Sequence, residues 1–202
     1  MKYSGAEIII KLLEEQGIKI IAGIPGGANL PMYSALDKSS KIQHVLARHE
    51  QGAGFIAQGI ARTTGKVGVC FVTSGPGVTN LLTAIADAKS DSVPIVAITG
   101  QIPSSLVGTD AFQEVDTCGL GIPITKHQFF VSSAQELLYI LPEAFKIAEG
   151  GRPGPVIVDI PKDVQLEEIE IENWPIKDRN GFLNRGITAV DTDRNIPIAS
   201  IE

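Results

Sequence analysis

The feature that most constrains this chain is a series of short apolar runs, each followed by a stretch of helical periodicity. VGVCFVT (67–73), PIVAITG (94–100) and PVIVDIP (155–161) are almost continuously apolar. That is the pattern of parallel strands covered on both faces, not the alternation of a half-exposed sheet. Three more runs are strand-like: residues 18–24, which break at a Pro-Gly-Gly turn, residues 42–47, and HQFFV (127–131). Helical stretches lie between them at residues 29–36 and 50–63, in GPGVTNLLTAIADAKSD, and in AQELLYILPEAFKIAEG. Parallel neighbours need crossover connections, so six strands with intervening helices predict an α/β fold: a doubly wound, six-stranded, mostly parallel sheet with helices on both faces. At the amino terminus, Ser4 with Glu7 three residues on makes a capping box, and Ile8, Leu12 and Leu13 give a helical stripe that Gly17 ends.

Past Lys162 the pattern degrades into acidic alternation with scattered Gly and Pro and no helix or strand of useful length. The expected organisation is therefore one domain over residues 1–165, followed at 166–202 by a linker or the lead-in to a neighbouring central domain. The net charge of −6 and the lack of any clustered Lys/Arg stripe argue against a nucleic-acid partner. Cys70, inside an apolar run, and Cys118, in CGLG, are too few and too far apart for a disulfide framework or a zinc site, which fits a reducing cytoplasm. The first helix carries acids on its polar side, unlike a basic leader, and no apolar run approaches the roughly eighteen residues of a membrane span. No membrane partner is expected.

In open parallel sheets, ligands bind at the carboxyl ends of the strands. That is where this sequence puts its unusual turns: GIPGGAN, RHEQGA, TSGPGVTN, GQIPSS and GTDAFQEVD. Two nucleotide motifs fail on inspection. No G-x-G-x-x-G occurs, and the nearest approach to a P-loop, residues 59–66, has one residue too many between its glycines and Val67 where a metal-binding hydroxyl belongs. Ser74 lacks the G-x-S-x-G setting of a nucleophile elbow. Glu50 is a lone carboxylate where a strand gives way to an Ala/Gly-rich helix. An acid there offsets the helix dipole and can do no more than that, with Arg48 and His49 as solvated neighbours. But Gly52, Ala53 and Gly54 leave room for a flat ring against backbone, and the carboxyl can share a proton with a ring nitrogen.

GIPGGANLPMYSAL, ARHEQGAGFIAQGIARTTGKVGVCFVTSGPGVTN, VPIVAITGQIPSSLVGTDAFQEVD and GRPGPVIVDIPKDVQ, in this order and spacing, resemble the amino-terminal pyrimidine-binding domain of thiamine-diphosphate enzymes. The resemblance covers roughly residues 1–170 and is strongest to acetolactate synthase (acetohydroxyacid synthase) catalytic subunits, with GTDAFQEVD tipping the balance among relatives that share the Glu and the TSGPG turn. It implies that Glu50 bonds the ring nitrogen of the cofactor's aminopyrimidine and favours the tautomer that removes the thiazolium proton. The implied reaction decarboxylates pyruvate and joins the product to pyruvate or 2-ketobutyrate in branched-chain amino-acid biosynthesis. Glu50 and Gln113 would be the catalytic residues.

The same resemblance implies that Pro25, Gly26 and Gly27 form a turn approached by the cofactor and that Gly75, Pro76, Gly77 and Asn80 wall the pyrimidine. It puts Phe112 and Lys126 on the substrate channel and gives Arg152 to FAD, which has no redox part. Each has a plainer reading: strand-ending turns, an aromatic clamp on its own loop at Phe112, and a helix-dipole partner at Arg152. His44, His49 and His127 are read as structural. In the family, a GDG motif followed by an Asn pair in a carboxy-terminal domain holds the diphosphate and Mg2+; this chain has no GDG, so no metal ligand is assigned within it. The resemblance further implies a homo-oligomer, because the family's site is shared between subunits, and a possible regulatory small subunit. Two alternatives stay open: the pyrimidine-domain subunit of another thiamine-diphosphate decarboxylase or carboligase, and a non-catalytic assembly domain.

Overall fold

The computed structural model describes residues 1–172, 174, 176–177 and 183–184. The chain opens with β1 (Lys2–Ser4) and α1 (Gly5–Glu15), then β2 (Ile20–Gly23), α2 (Leu30–Leu36), β3 (Gln43–Leu46), α3 (Glu50–Thr64), β4 (Gly68–Val72), α4 (Pro76–Ser90) and β5 (Ile95–Gln101). A loop with one 3-10 turn, Ser104–Leu106, leads to α5 (Thr117–Gly121), β6 (His127–Phe130), α6 (Leu137–Glu149), β7 (Val156–Pro161), α7 (Lys162–Leu166) and β8 (Glu168–Glu170). Two short strands, β9 (Ile176–Lys177) and β10 (Leu183–Asn184), pair antiparallel. Six strands form one sheet in the order β3-β2-β4-β5-β7-β6, and every neighbouring pair is parallel. The expected doubly wound sheet is present.

Burial follows position in the sheet. β4, β5 and β7 are buried at every residue, as their continuous apolar runs require, whereas the edge strands β3 and β6 expose their end residues. One face packs Ile21, Val69, Phe71, Val96, Ile98 and Val158 against α1, α2 and α6. The other packs Ala22, Cys70, Val72, Ala97 and Ile157 against α3 and α4, where alanines (Ala53, Ala57, Ala61, Ala84 and Ala88) dominate the buried helix surface. Small residues let those helices lie close: a Cβ at Gly54 would meet the Ala84 methyl at 2.6 Å. The α1 capping box is formed in full, Ser4 Oγ accepting from Glu7 N and the Glu7 carboxylate from Ser4 N.

Two local readings differ from the sequence expectation. α6 begins at Leu137, not at Ala134, because residues 132–136 form a turn that Glu136 closes by accepting from Ser132 N at 2.8 Å. The segment after Lys162 also contains secondary structure: α7 follows β7 directly, and β8 pairs antiparallel with β1, Lys2 opposite Glu170 and Tyr3 opposite Ile169. The Glu-Ile-Glu alternation is a strand whose partner is the amino terminus, braced by a Lys2–Glu168 ion pair at 2.6 Å. Most of the stretch after Asp178 lies outside the described residues.

Candidate functional site

Glu50 is the first residue of α3, which residues 47–49 join to the carboxyl end of β3. His49 precedes it in extended conformation and caps the helix, Nδ1 accepting from Gln51 N at 3.2 Å, so its ring fixes where α3, and hence Glu50, begins. Asn80, one turn into α4, donates its side-chain amide to Glu50 Oε2 at 2.9 Å. Oε1 faces Gly77, 3.7 Å from where a Cβ would stand, and makes no hydrogen bond among the described residues. One carboxylate oxygen is thus oriented and the other is open. Tyr33 lies within electrostatic reach: burial first, then the Cys70 and Glu50 groups, push its phenol well above the ordinary range, and its buried hydroxyl has no partner among the described residues.

Two turns flank this carboxylate, and Thr73 joins them. The 24–29 turn is stapled by the buried Asn29, whose Oδ1 accepts from Gly26 N at 2.7 Å and whose amide donates to Ile24 O at 3.2 Å. Thr73, at the end of β4, accepts from Ala28 N and sits between two glycines: a Cβ at Gly26 would meet it at 2.6 Å and one at Gly77 at 2.8 Å. Gly27 has nothing within 4 Å of its Cβ position, so the turn presents open backbone there.

The 102–116 loop closes on the second turn. Gly75 has φ 57° and ψ −115°, a conformation essentially confined to glycine, and its Cβ position lies 2.6 Å from Gln113 O. Gln113 itself has φ 60°, and beside it Phe112 is 87% exposed. Glu50, residues 25–27, residues 75–80, Phe112 and Gln113 therefore gather at the carboxyl edge of the sheet. The family profile described as "Thiamine pyrophosphate enzyme, N-terminal TPP binding domain" matches residues 3–120, more than half of the chain. The chain belongs to that family. Its relatives include the acetolactate synthase isozyme 1 large subunit of Escherichia coli K12, 62% identical over 174 residues, which are 86% of this chain and 31% of that protein. The acetolactate synthase large subunit of Corynebacterium glutamicum is 57% identical over 176 residues, 87% of this chain and 28% of that protein. The Escherichia coli isozyme 2 large subunit is 49% identical over 199 residues, 98% of this chain and 34% of that protein, a match that runs through the stretch after Asp178. The chain spans about a third of the length of these relatives.

For the pyrimidine half of thiamine diphosphate (pyrophosphate), the residues of this TPP-binding domain fit: an open carboxylate oxygen, two glycine turns and bare backbone at Gly27. For the diphosphate and its cation they do not. Among the described residues no group of three or more His, Cys, Asp or Glu side chains converges, and the sequence has no GDG. Two surface grooves, of about 320 and 340 Å³, run along α1 and not beside Glu50.

Two residues do not join the cluster. Lys126 precedes β6 and Arg152 precedes β7, so both stand at the amino edge of the sheet, opposite Glu50. Lys126 donates to Gly150 O, and burial, then Lys89, hold its ammonium below the ordinary range. Arg152 bonds Ser92 Oγ at 2.7 Å and Ser90 O at 3.2 Å, at the carboxyl end of α4. Sequence reasoning passed over Thr73, Asn29, Tyr33 and the capping role of His49. Thr73 carried a usable signal, a hydroxyl where an apolar strand meets Ser-Gly-Pro-Gly; Tyr33 carried none, since only the packing of α2 brings it near Glu50.

Proposed function

We propose that this chain supplies the pyrimidine-binding half of the catalytic site of an acetolactate synthase. The complete enzyme decarboxylates pyruvate and joins the two-carbon unit to a second 2-keto acid, pyruvate or 2-ketobutyrate. The observation that carries the reading is Glu50, with Oε2 held by Asn80 and Oε1 open beside Gly77. Bound thiamine diphosphate supplies the carbon nucleophile and electron sink that decarboxylation of a 2-keto acid needs. Glu50 holds a proton against the pyrimidine ring nitrogen, and Asn80 fixes the rotation of its carboxylate. The turns at 25–27 and 75–77 keep side chains away from the ring, while Gln113 faces the reacting side as the second catalytic residue and Phe112 lines the substrate channel.

The names of the three relatives support the substrate class. The proposal extends to Mg2+ bound with the diphosphate by residues outside this chain, to FAD at Arg152, to Lys126 lining a channel completed by another subunit, to a regulatory small subunit, and to a cytoplasmic location in keeping with two unpaired cysteines. Loss of co-purifying flavin in Arg152→Ala checks the FAD arm. In the complete enzyme, Glu50→Gln keeps shape and removes the proton-sharing carboxylate. Turnover falls by about two to four orders of magnitude, the range for positioned acid–base groups, with an unchanged circular dichroism spectrum. Acetolactate formation at the normal rate in that variant would sink the proposal.

A further inference from the structure

Asp159 is a carboxylate in the middle of the core. It sits on β7, 1% exposed, and burial outweighs its hydrogen bonds to push its carboxyl up to about 6. An amide of the same shape would fill this place at far lower desolvation cost, so the charge calls for a reason. One oxygen accepts from Thr99 Oγ1 and the other from Gln101 Nε2 at 2.9 Å.

Gln101 is the last residue of β5 and touches both ends of the loop that follows. Its Oε1 accepts from Ile102 N at 2.9 Å, and its Nε2 also reaches Val115 O and Thr117 Oγ1, each at 3.3 Å. The loop between those ends is exposed over residues 104–110 and braced within itself by Glu114, which accepts from Gly108 N and Ala111 N. We propose that Asp159 is a positioning residue: acting through Gln101, it sets the seat of the 102–116 loop and so holds Phe112 and Gln113 over the Gly75 turn. A carboxylate can only accept, so it forces the nitrogen side of the Gln101 amide towards itself and the oxygen side towards Ile102 N. An Asn at 159 would replace this charge-assisted bond with a weaker neutral one, so the Gln101 amide, though still oriented by Ile102 N and Val115 O, would hold the loop ends less firmly. The catalytic consequence rests on the reading of Phe112 and Gln113 above; the seating of the loop does not.

The test is hydrogen exchange on the 202-residue chain. The reporters are the Leu106, Val107, Thr109 and Glu114 amides, which bond within the loop. At about pH 7.5, Asp159→Asn should raise their exchange, corrected for intrinsic rate, by about tenfold while β4 and β7 keep their protection. In the unmodified chain the same rise should appear on acidification to about pH 5.5, and the Asn variant should be flat over that range. The other ionisable groups at Asp159 are Asp116 and the Cys118 thiol, which burial, then Asp159, raise. Elsewhere on the loop, Glu114 is held below the ordinary range, first by Gly108 N–H. Asp163 is lowered too, its bonds from Ser104 overcoming burial, so both stay ionised through the test window. Unchanged loop exchange in Asp159→Asn, or a rise shared by every sheet peptide, overturns the proposal. If Asp159→Asn fails to fold, Gln101→Asn, too short to span both loop ends, carries the same expectations. The measurement needs no cofactor, so it fails or succeeds independently of the Glu50→Gln result.

Discussion

At the scale of single residues, the glycines of the candidate site divide into two kinds. Gly75 is required by its backbone twice over, by a left-handed φ and by Gln113 O at 2.6 Å from its Cβ position, whereas Gly27 has open space around it. Gly75→Ala should destabilise the chain by about 2 kcal/mol or more, read from urea denaturation, since backbone strain and a carbonyl clash add. Gly27→Ala should stay within about 0.5 kcal/mol of the parent. It should nonetheless weaken pyrimidine binding in the complete enzyme, because its methyl occupies space the fold leaves empty. Equal stability of the two variants would show that the Gly75 turn is not under the constraint its geometry indicates.

At the scale of elements, α3 has two small-residue faces. Ala53, Ala57 and Ala61 are buried against the sheet and α4, while Gly52, Phe55 and Gly59 share the other side at helical spacing. Phe55 is 39% exposed, and Gly52 and Gly59 have nothing within 4 Å of their Cβ positions. An outward face of glycines around an aromatic suits close approach of a second helix, and we propose that homo-oligomers form through it beside the Glu50 turn. Sedimentation at tens of micromolar should show a dimer or larger species that Phe55→Glu converts to monomer. A parent that sediments as monomer throughout removes the proposal.

For the molecule as a whole, pH and ligand each give a measurable expectation. Asp159 has a folded-state carboxyl near 6 against an ordinary 3.8, so between those values the native state binds its proton more tightly than the unfolded chain does. Its contribution to stability is therefore largest below about pH 4 and declines as pH rises, by up to about 1.4 kcal/mol per pH unit inside the window. Subtracting the urea stability of Asp159→Asn from that of the parent isolates this, because carboxylates with lowered values, such as Glu7 and Glu14, are common to both. A difference that grows in favour of the parent from about pH 4 to about pH 6.5 contradicts it. For the cofactor, one hydrogen bond to a charged group contributes about 1.5–3 kcal/mol, too little to hold a flexible ligand without its diphosphate anchor. Calorimetry of this chain with thiamine diphosphate and magnesium should show nothing tighter than roughly millimolar, equivalent to about 4 kcal/mol. Micromolar affinity would mean that the chain carries the diphosphate site itself.

What the sequence determined by itself is whatever depends on neighbours along the chain. The continuous apolar runs at 67–73, 94–100 and 155–161 have the length and pattern of strands covered on both faces, and they form β4, β5 and β7. The capping box at Ser4, the turn glycines and the position of Glu50 at a strand-to-helix junction are equally local. Tertiary structure decided what depends on residues far apart. β8 exists because the amino terminus is there to pair with it, and acidic alternation alone cannot name a partner about 165 residues away. Asn80 became the partner of Glu50 because α3 and α4 pack on one face, and Lys126 and Arg152 fell at the opposite edge because β6 and β7 run parallel to β3. The buried Asp159 was invisible inside PVIVDIP for the same reason: its donors, Thr99 and Gln101, stand on the neighbouring strand, and only the β5–β7 register brings them to it.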